Sequence, residues 1–398
     1  MLMQIPNRTT LRKNEGTILS EKKSMKIAFL KKSFKAFGGA ENYLATLIMN
    51  LKRENHEIHV LSSNWSKSPG VICHSIDTIP FNSTLSTLSF NRNVARALKT
   101  LRPDRIISFE RTTCQDIYRA GDGCHREWLR LRGMVEGRLK RLSFNINPLH
   151  RTLLSIEKEI FSKTPVIVAN SNMVKKQIIN LYRVPEEKIR VIYNGVDLKR
   201  FSPENRAIWR DKLRTGYSIP SDIPLILFVG SNYERKGLSI LLSSLSGIDR
   251  EIKLIVAGRG NTAKFQRIAE RHGATKRVIF AGPQREIERF YAAADIFVLP
   301  TIYDPFSNAT LEAMASGLPV ITTMNNGVAE LIKNREEGFA LQDMLDSGEL
   351  SEKINLAISG APFMGALARK KAEAQPIEKA ASEFMDLIRE EGDVPPKR

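Results

Sequence analysis

Short runs of β-branched and other apolar residues recur along the whole chain, and longer segments with helical spacing of their apolar residues separate them. Such short runs have the length of buried strands, whereas spacings of three and four residues are typical of helices that pack on a sheet. Regular alternation of the two kinds of segment is characteristic of parallel sheets covered by helices. The pattern therefore predicts an α/β fold.

The predicted strands fall into two sets, one in each half of the chain. The first set is 26–30, 57–61, 105–109, 166–170 and 190–195, and the second is 225–230, 253–258, 277–282, 296–300 and 319–323. Two separate Rossmann-like, doubly wound parallel sheets are expected, with a cleft between them. Turn residues followed by a new amphipathic segment place the boundary near Phe201. We expect one domain over 25–200 and a second over 201–375.

Three further segments lie outside this regular pattern. Residues 1–24 are polar and basic without an apolar block, which predicts a disordered leader rather than a secretory signal. Residues 376–398 predict a helix and a tail, whose packing partner the sequence does not show. An insertion, 125–163, mixes arginine and lysine with leucine, tryptophan and phenylalanine. It fits either a basic surface on anionic lipid headgroups or a helical pair with its leucines packed inward.

Composition narrows the class of protein. A length of 398 residues exceeds what one hydrophobic core usually supports, and no apolar run approaches the ~20 residues of a membrane span. Three cysteines, Cys73, Cys114 and Cys124, are too few for a disulfide framework or a thiolate metal site, which favours a reducing cytoplasm. Lysine and arginine exceed aspartate and glutamate by 18. This excess attracts anions, but nucleotides, anionic lipids and nucleic acid all remain candidate partners.

The segment 299–323, LPTIYDPFSNATLEAMASGLPVITT, carries the most specific candidate chemistry. Ser307 is a favourable N-cap for the helix that should follow, and free backbone N–H groups at a helix start bind anions such as a diphosphate. Asp304 and Glu312 stand eight residues apart, and a carboxylate on this helix can hold the two hydroxyls of a ribose. The alternative interpretation of this segment is a capped amphipathic helix whose acidic residues have no function.

A second candidate lies at 228–241, where a strand ends in glycine and the loop presents Arg235 and Lys236. Ligands of doubly wound sheets bind beyond the carboxyl ends of the strands, so these cations are placed to stabilise a departing phosphate. The alternative is a solvated loop.

Two glycine-containing loops of the first half are weaker candidates. Gly38 and Gly39 open a helix after the first strand, where Glu41 can contact a substrate hydroxyl, although a tight turn also explains the glycines. Asp122 and His125 lie in YRAGDGCHREW, a loop suited to acceptor binding or to base chemistry, although a lone acid or histidine in a loop is more often structural.

Together, GGAEN, GSNYERKG and YDPFSNATLEAMASGLPVITT resemble the retaining glycosyltransferases of family 4, which have the GT-B fold. The resemblance covers residues 25–375, and within the family it is greatest to the group that glucosylates the lipopolysaccharide core. It implies an N-terminal acceptor domain, a C-terminal donor domain, and transfer of a hexose from UDP-glucose or a similar donor. The implied acceptor is a lipid-linked or other cell-surface saccharide, and neither a metal nor another cofactor is expected.

The resemblance also assigns roles to individual positions. Glu312 matches the second glutamate of the Glu-x7-Glu motif that holds the donor ribose, and the donor site further comprises Gly38, Gly39, Arg235, Lys236, Asp304, Phe306, Ser307 and Asn308. Asp122, Asp304, Arg235 and Lys236 are the implied catalytic residues, and Glu41, Asp122 and His125 the acceptor contacts. One position departs from the pattern: Asp304 replaces the first glutamate, which puts the preferred sugar in doubt.

Three other functions remain to be separated from this one. An oxidoreductase is disfavoured because GRGNTA, 258–263, lacks the acid that the dinucleotide fingerprint requires about 20 residues further on. A GT-B nucleotide-sugar epimerase shares the donor site. The hypothesis that the protein binds nucleic acid rests on net charge alone, and no nucleic acid is expected as a partner. The expected location is the cytoplasm, peripheral to the inner face of the plasma membrane through 125–163.

Overall fold

The computed structural model describes residues 24–33, 39–65 and 70–390. Its first sheet is built from β1 Lys26–Leu30, β2 Glu57–Ser62, β3 Ile72–Ser75, β4 Arg105–Ser108, β5 Ile117–Ala120, β6 Val166–Ala169 and β7 Ile189–Val191. These strands are parallel and lie in the order β3-β2-β1-β4-β5-β6-β7.

The second sheet is also parallel. It is built from β8 Leu225–Val229, β9 Lys253–Ala257, β10 Val278–Gly282, β11 Ile296–Val298, β12 Val320–Thr323 and β13 Gly338–Leu341. The strands lie in the order β10-β9-β8-β11-β12-β13. The two sheets belong to separate α/β domains, as the strand pattern predicts.

Helices connect the strands in both domains. They are α1 Gly39–Arg53, α2 Ser83–Leu101, α3 His125–Val135, α4 Arg138–Ile146, α5 Pro148–Lys163, α6 Asn172–Tyr182, α7 Asn205–Gly216, α8 Leu238–Ser244, α9 Thr262–Arg271, α10 Glu288–Ala293, α11 Asn308–Ala315, α12 Ser347–Ser359, α13 Ala361–Glu373 and α14 Ile377–Glu390.

Strand β1 shows why the apolar runs are continuous. Ile27 and Phe29 pack into the cluster that contains residues of α1, whereas Ala28 and Leu30 pack into the cluster that contains residues of α2. Successive side chains of a strand point to opposite faces, so a strand covered by helices on both faces needs an apolar residue at every position.

Three strands, β3, β5 and β13, are absent from the sequence prediction. The prediction recognised strands by a run of apolar residues, and these three lack a long one. β3 is a short edge strand whose Ile72 is largely exposed, β13 begins with Gly338, and β5 carries the polar Arg119 among its four buried residues. These segments form strands because they pair with neighbouring strands, and such contacts cannot be recognised in a short stretch of sequence.

The last helix, α14, packs on the first domain although the second domain precedes it in the chain. Phe384 contacts the rings of Tyr43 and Phe109 at centroid distances of 6.2 and 5.9 Å. The Tyr43 hydroxyl donates to the Ala380 carbonyl at 3.1 Å. The partner that the sequence does not show is therefore the α1 side of the first domain.

The chain crosses between the domains twice, and the two crossings lie side by side. Val196 N–H donates to the Gln375 carbonyl at 3.0 Å, and Ile377 N–H donates to the Val196 carbonyl at 3.0 Å. A Cβ at Gly195 would lie 2.3 Å from the Ile377 Cα, so only glycine allows this approach. The hinge between the domains is thus a pair of hydrogen-bonded segments.

The insertion at 125–163 forms three helices, α3, α4 and α5, rather than a pair. Its apolar residues divide between two environments: Leu131 and Phe144 are buried, whereas Leu142 and Ile146 are 61% and 76% exposed. The buried residues fit the inward-packed helical interpretation, whereas the interpretation as a surface for anionic lipid stays a prediction. Within the described residues, no helix combines the length and the hydropathy that a membrane span requires.

Candidate active site in the interdomain cleft

The candidate residues lie on loops that follow strands of the two sheets. The loop after β5 carries Asp122, the loop after β8 carries Arg235 and Lys236, and the segment after β11 carries Asp304 and leads into α11. In parallel α/β domains the carboxyl ends of the strands lie at one edge, where ligands bind. The topology therefore explains why positions so far apart in the chain meet.

Lys236 and Asp304 form a buried ion pair between the lysine Nζ and the aspartate Oδ2. Their side chains are only 11% and 8% exposed. Burial lowers the pKa of Lys236, and neighbouring Arg235 lowers it further, whereas Asp304 opposes both effects. The Arg235 carbonyl accepts from Ile302 N–H at 2.9 Å and from the Thr301 hydroxyl at 3.0 Å, which fixes this loop against the segment after β11.

The start of α11 is held in the way its sequence predicts. The Ser307 hydroxyl caps the helix by accepting from Thr310 N–H at 3.2 Å, and Ser307 N–H donates to Asn326 Oδ1 at 3.1 Å. Phe306 is buried and packs on the Tyr193 ring at 5.7 Å. The helix start, Asn308, is therefore rigidly placed.

Glu312 lies one turn further along α11, away from the Lys236 and Asp304 pair. Its Oε2 accepts from the Tyr291 hydroxyl at 2.9 Å. Burial raises the pKa of Glu312, and Glu288 adds to this, against the hydrogen bond from Tyr291 and the charge of Arg200. With Asn308, Glu312 lines an interdomain cavity of about 520 Å³ whose other wall includes α1.

Asp122 faces these groups from the first domain. Its Oδ2 accepts from Arg111 Nη1 at 3.2 Å, while 67% of its side chain is open to the cleft. Desolvation raises the pKa of Asp122, but four cations outweigh it and hold the pKa below its usual range: Arg111, Lys31, Arg235 and Arg119. Arg235 belongs to the second domain, so charges of both domains converge on this carboxylate.

His125 occupies a different environment from its neighbour Asp122. Its ring is buried in the insertion, 3.2 Å from His150 Nδ1, and its backbone N–H donates to Glu157 Oε1 at 2.7 Å. Burial, Arg111 and His150 lower the pKa of His125 to about 3. None of these contacts reaches the second domain.

The glycine loop of the first domain is seen only in part. Gly39 is the first residue of α1, whereas Gly38 and the side chain of Glu41 lie outside the described residues. The predicted roles of these positions stay predictions.

Arg119, in β5, is a residue of the cleft that the sequence reasoning missed. It is buried with 4% exposure, its guanidinium lies 4.5 Å from the centroid of the Tyr43 ring, and among the residues that the structure describes its Nε has no hydrogen-bond partner. Its Nη2 donates to Asn194 Oδ1 at 2.5 Å, and Asn194 Nδ2 donates to Asn308 Oδ1 at 2.6 Å. A buried cation thus connects to the start of α11. The available signal was an arginine within an otherwise apolar strand.

Tyr303 and Glu330, also missed, hold the two domains together. The Tyr303 hydroxyl accepts from Cys124 N–H at 2.9 Å and donates to Gln177 at 2.8 Å. Glu330 accepts from Met173 N–H at 2.6 Å, at the start of α6. Its carboxylate is stabilised there because helix N-termini attract negative charge. The cleft is therefore closed by direct contacts between the domains.

Two glycosyltransferase family models match consecutive parts of the chain. The model of glycosyltransferase family 4 matches residues 37–200, and that of the glycosyl transferases group 1 matches residues 210–376. Lipopolysaccharide glucosyltransferase WaaG of Escherichia coli is 24% identical over 387 residues, which are 92% of this chain and 98% of that protein. An uncharacterized glycosyltransferase of Methanocaldococcus jannaschii is 30% identical over 180 residues, and the chain spans 46% of its length.

Solved structures share the fold. The crystal structure of WaaG matches with a TM-score of 0.79 and 22% identity over 91% of this chain and 99% of that one. Anabaena HepE in complex with UDP-glucose matches with a TM-score of 0.70 and 19% identity over 92% of this chain and 100% of that one. The predicted GT-B architecture of two Rossmann-like domains is confirmed.

Proposed function

Because this chain is a glycosyltransferase, in which a family 4 domain precedes a group 1 domain, we propose that it transfers a hexose with retention of configuration. The proposed donor is UDP-glucose or a similar nucleotide-diphosphate sugar. The proposed acceptor is a saccharide of the lipopolysaccharide core or of another cell-surface glycan. The similarity to WaaG, a lipopolysaccharide glucosyltransferase, and to HepE in complex with UDP-glucose supports this donor and acceptor.

The observation that carries the proposal is the buried pair of Lys236 and Asp304 beside Arg235, opposite Asp122 across the cleft. A donor diphosphate at the start of α11 meets the cations of Arg235 and Lys236. Negative charge grows on the diphosphate as its bond to the sugar breaks, and fixed cations in a partly dry site stabilise that charge. In this proposal Asp304 positions the sugar and Glu312 holds the ribose.

The proposed reaction proceeds as follows. The bond between the sugar C1 and the diphosphate oxygen breaks, and its electron pair stays on UDP. The acceptor hydroxyl attacks C1 from the same face, and its proton passes to the released phosphate oxygen. Asp122, whose low pKa keeps it ionised, accepts a hydrogen bond from the acceptor and orients it.

A panel of UDP-, GDP- and ADP-sugars tested by thermal shift examines the donor assignment first. A ligand at 100 times its dissociation constant stabilises the folded protein by about 2.7 kcal/mol. We expect a selective shift with UDP-glucose, followed by transfer to delipidated lipopolysaccharide core oligosaccharide with an α-linked product by NMR. No shift with any nucleotide sugar would overturn the proposal, and isomerisation of the donor without an acceptor would favour an epimerase.

For the location, we propose the cytoplasmic face of an anionic membrane, reached through the insertion. A cavity of about 780 Å³ on this insertion and α6 is lined by cations without a carboxylate, namely Arg126, Arg130, Arg141, Lys158 and Arg183. Exposed Leu142 and Ile146 lie on α4 beside it. Such a combination of basic and apolar side chains suits an anionic lipid surface and a lipid-linked acceptor.

Vesicle co-sedimentation tests this location. We expect binding to vesicles containing phosphatidylglycerol, weak binding to phosphatidylcholine alone, and loss of binding in the variant R141E/K158E. The variant K370E/K371E, which reverses two exposed lysines of the second domain and changes the net charge equally, is the matched control and should bind like the wild type. Equal binding to both kinds of vesicle, or unchanged binding of R141E/K158E, would contradict the assignment.

A further inference from the structure

A second groove lies between the insertion and the second domain, distinct from the basic cavity. It has a volume of about 550 Å³, within the ~300–1,000 Å³ typical of ligand pockets. Its lining includes Trp128, Arg132 and Glu136 on the insertion side and Asn232, Glu234 and Lys264 on the donor side. Residues of both domains are needed to form it.

On each wall of the groove, the lining residues are close in sequence to residues of the candidate active site. On the donor side, Asn232 and Glu234 belong to the loop that carries Arg235, and Asn232 Oδ1 accepts from Arg235 N–H at 3.2 Å. On the other side, the helix of Trp128 begins three residues after Asp122. The groove therefore borders the loops where the reaction is proposed to occur.

Trp128 gives the groove an aromatic surface. Its ring is half-buried and packs beside the apolar cluster of Ile302 and Tyr303, with the Arg132 guanidinium 5.9 Å from its centroid. In the described part of the chain its indole N–H has no hydrogen-bond partner, which leaves this donor for a ligand. An amphipathic ring of this kind offers one apolar face and one polar edge, which matches the C–H face and the hydroxyls of a sugar.

Three cations and two carboxylates line the groove, so its net charge is much smaller than that of the basic cavity, which five cations line. Glu136 lies 3.0 Å from Arg132 and 3.4 Å from Lys140, and Glu234 lies 3.1 Å from Lys264. Paired carboxylates and cations provide both acceptors and donors for hydroxyl groups but little net attraction for a polyanion. The lining thus favours a neutral saccharide over a phosphate or a lipid headgroup.

We propose that this groove binds the acceptor saccharide beyond the sugar that receives the hexose, with Trp128 as its stacking platform. The acceptor class is therefore an oligosaccharide rather than a monosaccharide. This inference rests on the proposed glycosyltransfer and adds a specificity site to it.

Acceptor kinetics of Trp128→Leu with UDP-glucose test the groove. The two probes are delipidated lipopolysaccharide core oligosaccharide and the methyl glycoside of its terminal sugar. We expect KM for the oligosaccharide to rise about tenfold with kcat little changed, and KM for the methyl glycoside to stay the same. Trp128→Phe should restore most of the oligosaccharide affinity because it keeps an aromatic face. Trp209→Leu, half-buried on the outer surface beside Arg289, is the matched control.

Tryptophan fluorescence separates failure of the groove from failure of the proposed reaction. The chain has three tryptophans, so the oligosaccharide should change the emission of the wild type but not that of Trp128→Phe. Binding seen this way supports the groove even if UDP-glucose is the wrong donor. Equal loss of affinity for both acceptors, or a fluorescence response that survives in Trp128→Phe, would overturn the inference.

Discussion

Removal of the positive charge from Lys236 should damage stability and catalysis separately. The Asp304 carboxylate is 8% exposed, and within the described residues its side chain makes no other hydrogen bond than that from Lys236. Lys236→Met keeps the length of the side chain but leaves this carboxylate buried without its cation. Loss of one partner of a buried ion pair costs about 3–5 kcal/mol of unfolding free energy.

Replacing both residues of the pair by neutral ones should restore the lost stability but not the lost turnover. In Lys236→Met/Asp304→Asn no charge is left unpaired, so we expect a coupling free energy of about 2 kcal/mol in the double-mutant cycle. Turnover should stay about 100- to 1,000-fold below wild type in Lys236→Met and in the double variant, because both lack the phosphate-binding cation.

Urea unfolding and initial rates of UDP release measure the two effects. The control is Lys333→Met, which removes an exposed ion pair with Glu336 and should leave both measurements unchanged. Additive stability losses would show that the two residues do not act as a pair. Recovery of turnover together with stability in the double variant would show that Lys236 stabilises the fold and does not act in the reaction, contrary to its proposed role.

Four further predictions follow from the charges of the cleft and the insertion. Asp122→Asn should lower kcat at least 100-fold while the affinity for UDP, by calorimetry, stays the same; weaker UDP binding would assign Asp122 to the donor. Since the pKa of His125 is about 3 in the folded protein and ~6.5 when unfolded, the unfolded state takes up the proton first, and stability falls as pH decreases below ~6.5. By pH 4.5 this amounts to about 2.7 kcal/mol, and urea unfolding of His125→Asn should lack that part of the decrease. Arg119→Met should weaken UDP binding about tenfold, because the first domain then loses the buried cation that connects through Asn194 to the start of α11; unchanged UDP affinity would contradict this. Initial rates should be unaffected by EDTA if Arg235 and Lys236 supply the charge for the leaving group, whereas inactivation that Mg²⁺ reverses would exclude that.

The fold and the loops of the site were predictable because both are encoded in short stretches of sequence. Strands such as β1 and β8 carry apolar residues at every position, so they are recognisable without knowledge of their neighbours. Arg235, Lys236 and Asp304 lie on the segments that follow β8 and β11, and in a parallel sheet such segments meet at the same edge.

The remaining features depend on contacts between distant segments. His125 stands in a glycine-bounded loop that suggests exposure, yet Glu157 and His150 of α5 draw it into the insertion. Arg119 interrupts the apolar run of β5, so the strand was not recognised. Its partner Asn194 lies 75 residues further on. Neither environment follows from local pattern, because tertiary packing overrides it.

The relay from Arg119 through Asn194 to Asn308 suggests why donor binding and domain closure should be coupled. Asn194 stands at the end of the first domain and Asn308 begins α11 of the second, so the relay exists only while the domains are together. In that arrangement cations of both domains, Arg119 and Arg235 among them, face the cleft. A diphosphate at the start of α11 therefore gains attraction from the first domain only in the closed state. A ligand shifts an equilibrium by its difference in affinity for the two states, so the donor should favour closure before the acceptor binds.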